Sequence, residues 1–170
     1  MQNLAARMIG AARLSRETYE EVEADTKANG QAIAIVVLYG LAAAIGANIA
    51  DPRGLVGVLG VTLVGWVFWV ALTLFIGTRL LPERTTRADF GQILRTTGFS
   101  ASAGILLVFA RLPVIGVIIV AVVGIWMLVT FVVAIRQALD YSSTARAFAV
   151  CVLGWIIQWV LLFGFSRTVV

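Results

Sequence analysis

Histidine is absent from the sequence, cysteine occurs once, and charged residues make up only 13% of the chain. The absence of histidine removes the most common metal ligand and the most common general base. Because Cys151 is the single cysteine, the chain can form neither an internal disulfide nor a thiolate cluster for a metal. We therefore predict no catalytic, cofactor-binding or metal site, and we expect a protein that is not an enzyme.

The scarcity of charge is matched by an excess of apolar residues, which make up 61% of the chain and give a mean hydropathy of +0.98. Soluble domains are about half apolar and about a quarter charged, so the surplus here must face something other than water. The formal charge of +4 comes from arginines that lie between the apolar runs. We interpret these arginines as determinants of membrane topology, and we expect no binding to nucleic acid.

Five apolar stretches are long enough to cross a bilayer, which needs about 20 residues of helix. None of them has an acidic residue in its interior. We predict an all-α fold, a polytopic membrane bundle of five transmembrane helices with an amphipathic interfacial helix at the amino terminus. Residues 1–27 would form a cytoplasmic segment and residues 28–170 the transmembrane domain. The spans are expected at about 28–50, 55–76, 91–110, 113–135 and 145–165.

Proline is also scarce, and all three prolines fall at the predicted connections. Pro113 suits the first turn of the fourth span, where its missing N–H would be unpaired in any case. The connections at 51–54 and 111–112 are very short, so each should join two antiparallel helices.

Arginine and lysine are distributed unequally between the two sides of this bundle. The amino-terminal segment and the 2–3 and 4–5 connections carry ten of them, and the opposite side carries three. Positive residues favour the cytoplasmic side, so the amino terminus should be cytoplasmic and the carboxyl terminus outside. The first 29 residues lack an apolar run, so we expect no cleavable signal peptide.

The start of the amino-terminal segment has the periodicity of an amphipathic helix. Leu4, Met8 and Ile9 fall on one face with several alanines, and Arg7 and Arg13 fall on the other. This pattern is typical of a helix in the membrane interface whose arginines face lipid phosphates. A short soluble arm is the alternative.

A second short helix should follow directly. Ser15 is suited to cap its amino terminus, and Glu17 lies favourably in its first turn. Tyr19 and Val22 would then anchor the helix to the membrane or to the bundle.

The most concentrated charge in the chain is the acidic run of this second helix. Its three- and four-residue spacing places several carboxylates on one helical face. Such a face could bind a cation or a basic partner; the alternative is a solvated face that pairs with arginines of the 2–3 and 4–5 connections. The candidate residues of a cytoplasmic interaction face are Glu17, Glu20, Glu21, Asp25, Arg95, Arg136, Asp140 and Arg146.

Small and hydroxyl residues are concentrated at the start of the third span. Ser100 and Gly104 are four residues apart, a spacing that lets helix backbones approach closely, and Gly46 ends a similar step in the first span. Tight helix packing is one interpretation, and an oligomer seam or a narrow polar path is the other. The candidate packing residues are Gly46, Gly98, Ser100 and Gly104; a path would use Thr96, Thr97, Ser100 and Ser102.

Three segments carry a family resemblance: residues 15–25 (SRETYEEVEAD), 94–100 (LRTTGFS) and 125–146 (IWMLVTFVVAIRQALDYSSTAR). In this order and spacing they resemble the Yip family, the Ypt-interacting membrane proteins, in its bacterial form. Phe99 stands where the family usually has tyrosine. The resemblance implies five spans with a cytoplasmic amino terminus, and for this chain a multi-pass protein of the bacterial inner membrane.

These observations favour a non-enzymatic protein that organises lipids or partner proteins at the cytoplasmic membrane face. The alternative is a small oligomeric transporter or channel that uses the hydroxyl residues of the third span. We expect membrane lipids as partners and no cofactor. A protein at the cytoplasmic face and further copies of this chain are the other candidate partners.

Overall fold

The computed structural model describes the backbone of residues 3–168 and the side chains of residues 3–158 and 160. The described chain folds into α-helices joined by short turns, with two 3₁₀ segments and one π turn. The α-helices are α1 (Leu4–Ala12), α2 (Arg16–Ala24), α3 (Asn29–Gly46), α4 (Pro52–Phe75), α5 (Phe90–Ser100), α6 (Gly116–Ala138) and α7 (Thr144–Thr168). The 3₁₀ segments are Thr26–Ala28 and Ala101–Arg111, and the π turn is Ile76–Leu80.

In the described part of the chain, four continuous helical stretches are long and apolar enough to cross a membrane: Thr26–Gly46, Pro52–Leu80, Phe90–Arg111 and Gly116–Ala138. α7 adds a further apolar helix, whose part from Thr144 to Gln158 meets the same composition over a shorter length. The predicted fold class, an all-α membrane bundle, is therefore confirmed, and the five-span count agrees with these bounds.

The turn before α6 differs from the prediction, because Pro113 does not start the helix. Leu112 is extended, with φ −70° and ψ 130°, as expected for a residue that precedes proline. Val114 has a left-handed backbone with φ 68°, and the Ile115 N–H donates to the Pro113 carbonyl at 2.8 Å. This geometry cannot continue into a helix, so α6 begins only at Gly116.

The third span changes its helix type half-way. It starts as α5 and continues as the 3₁₀ segment Ala101–Arg111, which packs mainly against α3 and α6. A 3₁₀ helix rises about 2.0 Å per residue, so this segment is longer and thinner than the same residues would be as α-helix. Its first four residues are small and buried. The narrow segment therefore fits between two larger helices.

Among the residues with described side chains, two apolar clusters form the core, and both lie toward the same end of the bundle. We call this the α2 end: it carries α2, the starts of α3, α5 and α7, and the ends of α4 and α6. One cluster joins α4, α5, α6 and α7 around Ile93, Ile135 and Leu139. The other joins α1 and α2 to α3, α5 and α6 around Tyr19 and Phe99. The amino-terminal helices therefore share a core with the spans.

Toward the other end, α4 and α6 expose long rows of apolar side chains. Val61 on α4 is 75% exposed and Val117 on α6 is 80% exposed. Such apolar surface is stable where it faces lipid. α4 and α6 thus pack against other helices at the α2 end and lie open to the bilayer toward the opposite end.

Candidate interaction face at the α2 end

Arg7 joins α1 to α2 and α3, and it does not face lipid. Its side chain is 2% exposed and donates to Glu21 Oε1 at 2.8 and 3.1 Å, to Asp25 Oδ2 at 2.9 Å and to Gln31 Oε1 at 2.9 Å. The prediction that this arginine faces lipid phosphates is therefore wrong. A buried guanidinium needs charged and hydrogen-bonded partners, and here two carboxylates supply them.

The turn between α1 and α2 lies against the middle of α6. The Tyr19 hydroxyl donates to the carbonyls of Ala11 and Thr130, and the Trp126 indole N–H donates to the Ala12 carbonyl at 2.8 Å. Tyr19 therefore anchors α2 to the bundle, which is one of the two predicted alternatives. At about 1.5 Å per residue, these contacts lie roughly 12–18 Å from the α2 end of α6.

Arg95 makes the second buried link, from α5 to α2 and α3. It is 4% exposed and donates to the carbonyls of Val22 at 3.0 Å and Glu23 at 3.1 Å, and to Asn29 Oδ1 at 3.1 Å. A further bond joins its Nη2 to the Glu23 carbonyl. Arg95 therefore binds backbone at the carboxyl end of a helix, where a cation is favoured, and it does not reach lipid phosphates.

The acidic run of α2 divides into an inward and an outward group. Glu21 and Asp25 bind Arg7, whose hydrogen bond holds the pKa of Asp25 below its usual value. Glu20 faces outward and pairs with Arg16 at 2.9 Å, and Glu17 bonds to the Ser15 hydroxyl that caps the helix. The acids thus pair with amino-terminal arginines, and not with those of the two connections as the solvated alternative assumed.

Glu23 lies on the inner side of α2 and was not among the candidate residues. Burial and the nearby charge of Asp140 raise its pKa to about 7, although Arg95 opposes this shift. Gln92 Nε2 donates to its carboxylate at 3.2 Å. No charge pattern in the sequence distinguishes Glu23 from its acidic neighbours, because the shift arises from helix packing.

The 2–3 and 4–5 connections are tied together by Glu83 and Arg146. The two side chains approach to 3.4 Å, and Glu83 also accepts from the N–H and hydroxyl of Ser142 at 2.9 and 2.8 Å. These bonds lower the pKa of the Glu83 carboxyl, with the Ser142 N–H as the largest cause. Arg146 further donates to the Pro82 carbonyl. Arg146 therefore fixes the connections to each other.

A cavity of about 570 Å³ lies beside these connections and brings two other candidates together. Arg136 and Asp140 line it, along with Arg16 from α2 and Thr85 from the 2–3 connection. Arg136 donates to the Thr144 hydroxyl and to backbone carbonyls of the 4–5 connection. The cavity opens at the α2 end, so its polar lining is available to a ligand or partner.

Three further arginines of the 2–3 connection region are exposed. Arg79, Arg84 and Arg87 have no acidic side chain within 4 Å among the residues with described side chains. In the sequence they indicate membrane topology, and they are not among the candidate site residues. Their density was the available signal, and only the structure shows that they remain unneutralised.

The small residues of the first and third spans lie at close helix contacts. A Cβ on Gly98 would be 2.7 Å from the Ala32 Cβ, and a Cβ on Gly104 would lie 2.8 Å from the Met127 sulfur as well as against Tyr39. A Cβ on Gly46 would meet the backbone carbonyl of Leu107. These glycines leave room for no side chain.

The hydroxyl groups of the third span are satisfied within their own helix. Thr96 and Thr97 donate to the Ile93 carbonyl, Ser100 donates to the Thr97 carbonyl, and Ser102 to that of Phe99. They are buried donors with local acceptors, so this arrangement does not favour a polar path for transport. In the described part of the chain no group of three or more acidic or cysteine side chains could hold a metal ion.

Comparison with known proteins places this architecture in a family. The sequence model of the family described as the Yip1 domain matches residues 12–165, which include α2 and all five predicted spans. The chain belongs to the Yip1-domain family. No curated protein and no solved structure matches it. As a Yip1-domain membrane protein it carries Arg95 within the matched residues, whereas Arg7 precedes them.

Proposed function

We propose that this Yip1-domain chain is a non-enzymatic membrane protein that organises lipids or partner proteins at the cytoplasmic membrane face. The α2 end would be cytoplasmic, in the inner membrane of a bacterium, with the carboxyl terminus outside. The supporting observation is the division of charge at this end. Arg7, Arg95 and Arg146 hold the face together, and Arg79, Arg84 and Arg87 are left on its surface.

Anionic lipid is the partner that these surface charges fit best. Arg79, Arg84 and Arg87 are exposed next to the end of α4, where lipid headgroups would lie. Each basic residue near an anionic leaflet contributes about 1 kcal/mol of attraction. Arginine also matches phosphate in geometry, through its planar fork of donors. Glu17 and Glu20 would offer a protein partner an acidic patch on the same face.

Lipid retention in nanodiscs tests this function. We expect native mass spectrometry to detect anionic phospholipid retained by the wild-type protein. A variant in which Arg79, Arg84 and Arg87 are all changed to glutamine should retain clearly less. The matched control changes Arg53 and Arg111, which are exposed at the opposite end, and should keep the wild-type level. Equal retention in both variants would contradict the lipid role.

The orientation is tested separately by cysteine labelling. In a Cys151→Ser background, Glu20→Cys should react with a membrane-impermeant maleimide only after the cells are opened. Arg53→Cys should react in intact cells, because it lies at the other end of the bundle. The reverse pattern would place the α2 end outside and contradict the cytoplasmic face.

A further inference from the structure

An aromatic cavity of about 520 Å³ lies near the middle of the spans. α3 and α5 form its inner wall, and α4, α6 and α7 form its sides. Tyr39, Trp66, Trp69, Phe131 and Trp155 line it, and none of its lining residues is charged. A site of this size and composition is typical of a pocket for a small apolar ligand.

Two glycines keep this cavity open. Gly65 on α4 and Gly124 on α6 both line it, and a Cβ built at either position meets nothing within 4 Å. By contrast, Gly98 and Gly154 are in close contact with neighbouring side chains. The free space at Gly65 and Gly124 therefore lies beside a tightly packed inner wall, where the glycines leave room for a ligand.

Two residues of the cavity wall carry hydrogen-bonding groups that the protein does not use. The indole N–H of Trp69 is buried and has no acceptor among the described residues. Such an orphan donor is uncommon in a protein interior and calls for an explanation. The Tyr39 hydroxyl donates no hydrogen bond within the described residues, whereas the Trp66 N–H is satisfied by the Thr97 hydroxyl at 3.0 Å.

The depth of these donors restricts the ligand. Tyr39 and Trp69 lie within their spans, away from the headgroup region. The hydrocarbon core is about 30 Å thick, so phospholipid carbonyls lie about 15 Å from its centre. A ligand that brings an acceptor to these donors must therefore be uncharged and must place its polar group within the hydrocarbon.

We propose that this cavity binds an uncharged lipid with a planar ring bearing carbonyl groups, the chemical class of the isoprenoid quinones. The ring would pack between the aromatic walls, and a small rotation of the Trp69 indole would bring its N–H to one carbonyl, the acceptor that it lacks. The apolar tail would leave past Val61, which is 75% exposed, into the bilayer. The proposal concerns binding alone and goes beyond the function proposed above.

Titration with a short-tailed benzoquinone in nanodiscs tests the site, with quenching of tryptophan fluorescence as the signal. Gly65→Leu and Gly124→Leu fill the cavity and should each weaken binding at least tenfold. Gly60→Leu is the matched control: it lies on the same helix as Gly65, also meets nothing within 4 Å, and does not line the cavity. We expect its affinity to remain that of the wild type.

A second pair of variants tests the hydrogen bond. Trp69→Phe keeps an aromatic ring but removes the N–H, so it should weaken binding several-fold. Trp126→Phe removes an N–H that bonds to Ala12 away from the cavity, and should change affinity little. Both variants remain informative if a leucine variant does not fold.

Two results would overturn the proposal. One is the same quinone affinity in Gly65→Leu, Gly124→Leu and Gly60→Leu proteins that all elute as folded. The other concerns phospholipids that are brominated near the ends of their acyl chains. If they quench the cavity tryptophans and added quinone does not displace them, an acyl chain is the occupant.

Discussion

The second and third spans show how little hydropathy tells about position in a membrane bundle. Pro52–Leu80 has a mean hydropathy of 2.3 over its most apolar window, but only 11% of that window is buried in protein. Phe90–Arg111 has a lower value of 1.5, and 61% of its window is buried. The less apolar span is therefore the central one.

The difference follows from what each span contacts. The second span faces lipid over most of its length, so it carries apolar side chains that need no partner. The third span is surrounded by α2, α3, α4 and α6, and its small residues allow those helices to approach. Protein neighbours also satisfy polar groups that lipid would leave unpaired, which is why Arg95 can lie near its start.

The strongest test of this comparison is Arg95→Leu. The substitution removes the donors to Val22, Glu23 and Asn29 and leaves these acceptors without a partner. Hydrogen bonds of charged groups contribute about 1.5–3 kcal/mol each, so we expect a loss of about 3 kcal/mol or more of unfolding free energy. Reversible unfolding in mixed micelles measures it.

The control for this prediction is Arg53→Leu at the start of the second span. Arg53 is exposed and has no ion pair among the residues with described side chains. Substitutions of this kind usually change stability by about 0.5 kcal/mol or less. Similar losses in the two variants would remove the distinction between a central and a lipid-facing span.

The fold was largely predictable because its main signals are local. The five spans follow from apolar length, and Ser15 was recognised as a helix cap from its position before an acidic turn. Its hydroxyl accepts from the Thr18 N–H at 3.2 Å, as a cap requires. The predicted start of the fourth span lies three residues before the start of α6, because hydrophobic periodicity does not reveal the left-handed turn at Val114.

The site was less predictable because it depends on which helix faces meet. Periodicity placed Arg7 on a polar face but could not show that Glu21 and Asp25 cover that face. The change to 3₁₀ geometry after Ser100 likewise occurs where the span packs between α3 and α6. No local pattern encodes the aromatic cavity either, since residues from five helices form it.

Close packing of the third span gives the next test. A Cβ on Gly98 would lie 2.7 Å from Ala32 and 3.0 Å from the Trp66 ring, so Gly98→Leu must displace α3 or α4. Overpacking of this kind costs about 1–3 kcal/mol. Gly60→Leu, with nothing within 4 Å, should be neutral or slightly stabilising. An equal thermal shift in both proteins would contradict close packing around the third span.

The contact between α2 and the third span should also depend on pH, through Glu23. Its pKa is raised from 4.5 to about 7, so the folded protein binds a proton more tightly than the unfolded chain does. Stability is therefore greatest below about pH 4.5 for this group and decreases as pH rises toward 7. The carboxyls of Glu17, Asp25 and Glu83 have lowered pKa values, so they have the opposite effect: their contribution to stability is lost as the pH falls.

Glu23→Gln isolates this effect. The amide keeps the contact with Gln92 and cannot ionise, so the change in unfolding midpoint between pH 5 and 8 should become smaller than in the wild type. Glu20 is one of the charges that raise the pKa of Glu23, so Glu20→Gln should flatten the profile far less than Glu23→Gln does. A profile as steep in Glu23→Gln as in the wild type would show that another group titrates.

The smallest effect is expected at the Glu83–Arg146 pair, which does not involve the third span. The two side chains are 3.4 Å apart and Arg146 is 41% exposed, so solvent screens their attraction. Exposed pairs contribute about 0–1 kcal/mol, and the coupling between Glu83→Gln and Arg146→Gln in a double-mutant cycle should fall in that range. Glu83→Gln alone should lower the free energy of unfolding mainly through its bonds to Ser142, because the amide oxygen keeps these bonds only in part. A coupling as large as the loss in Arg95→Leu would show that the connections, and not the third span, hold the α2 end together.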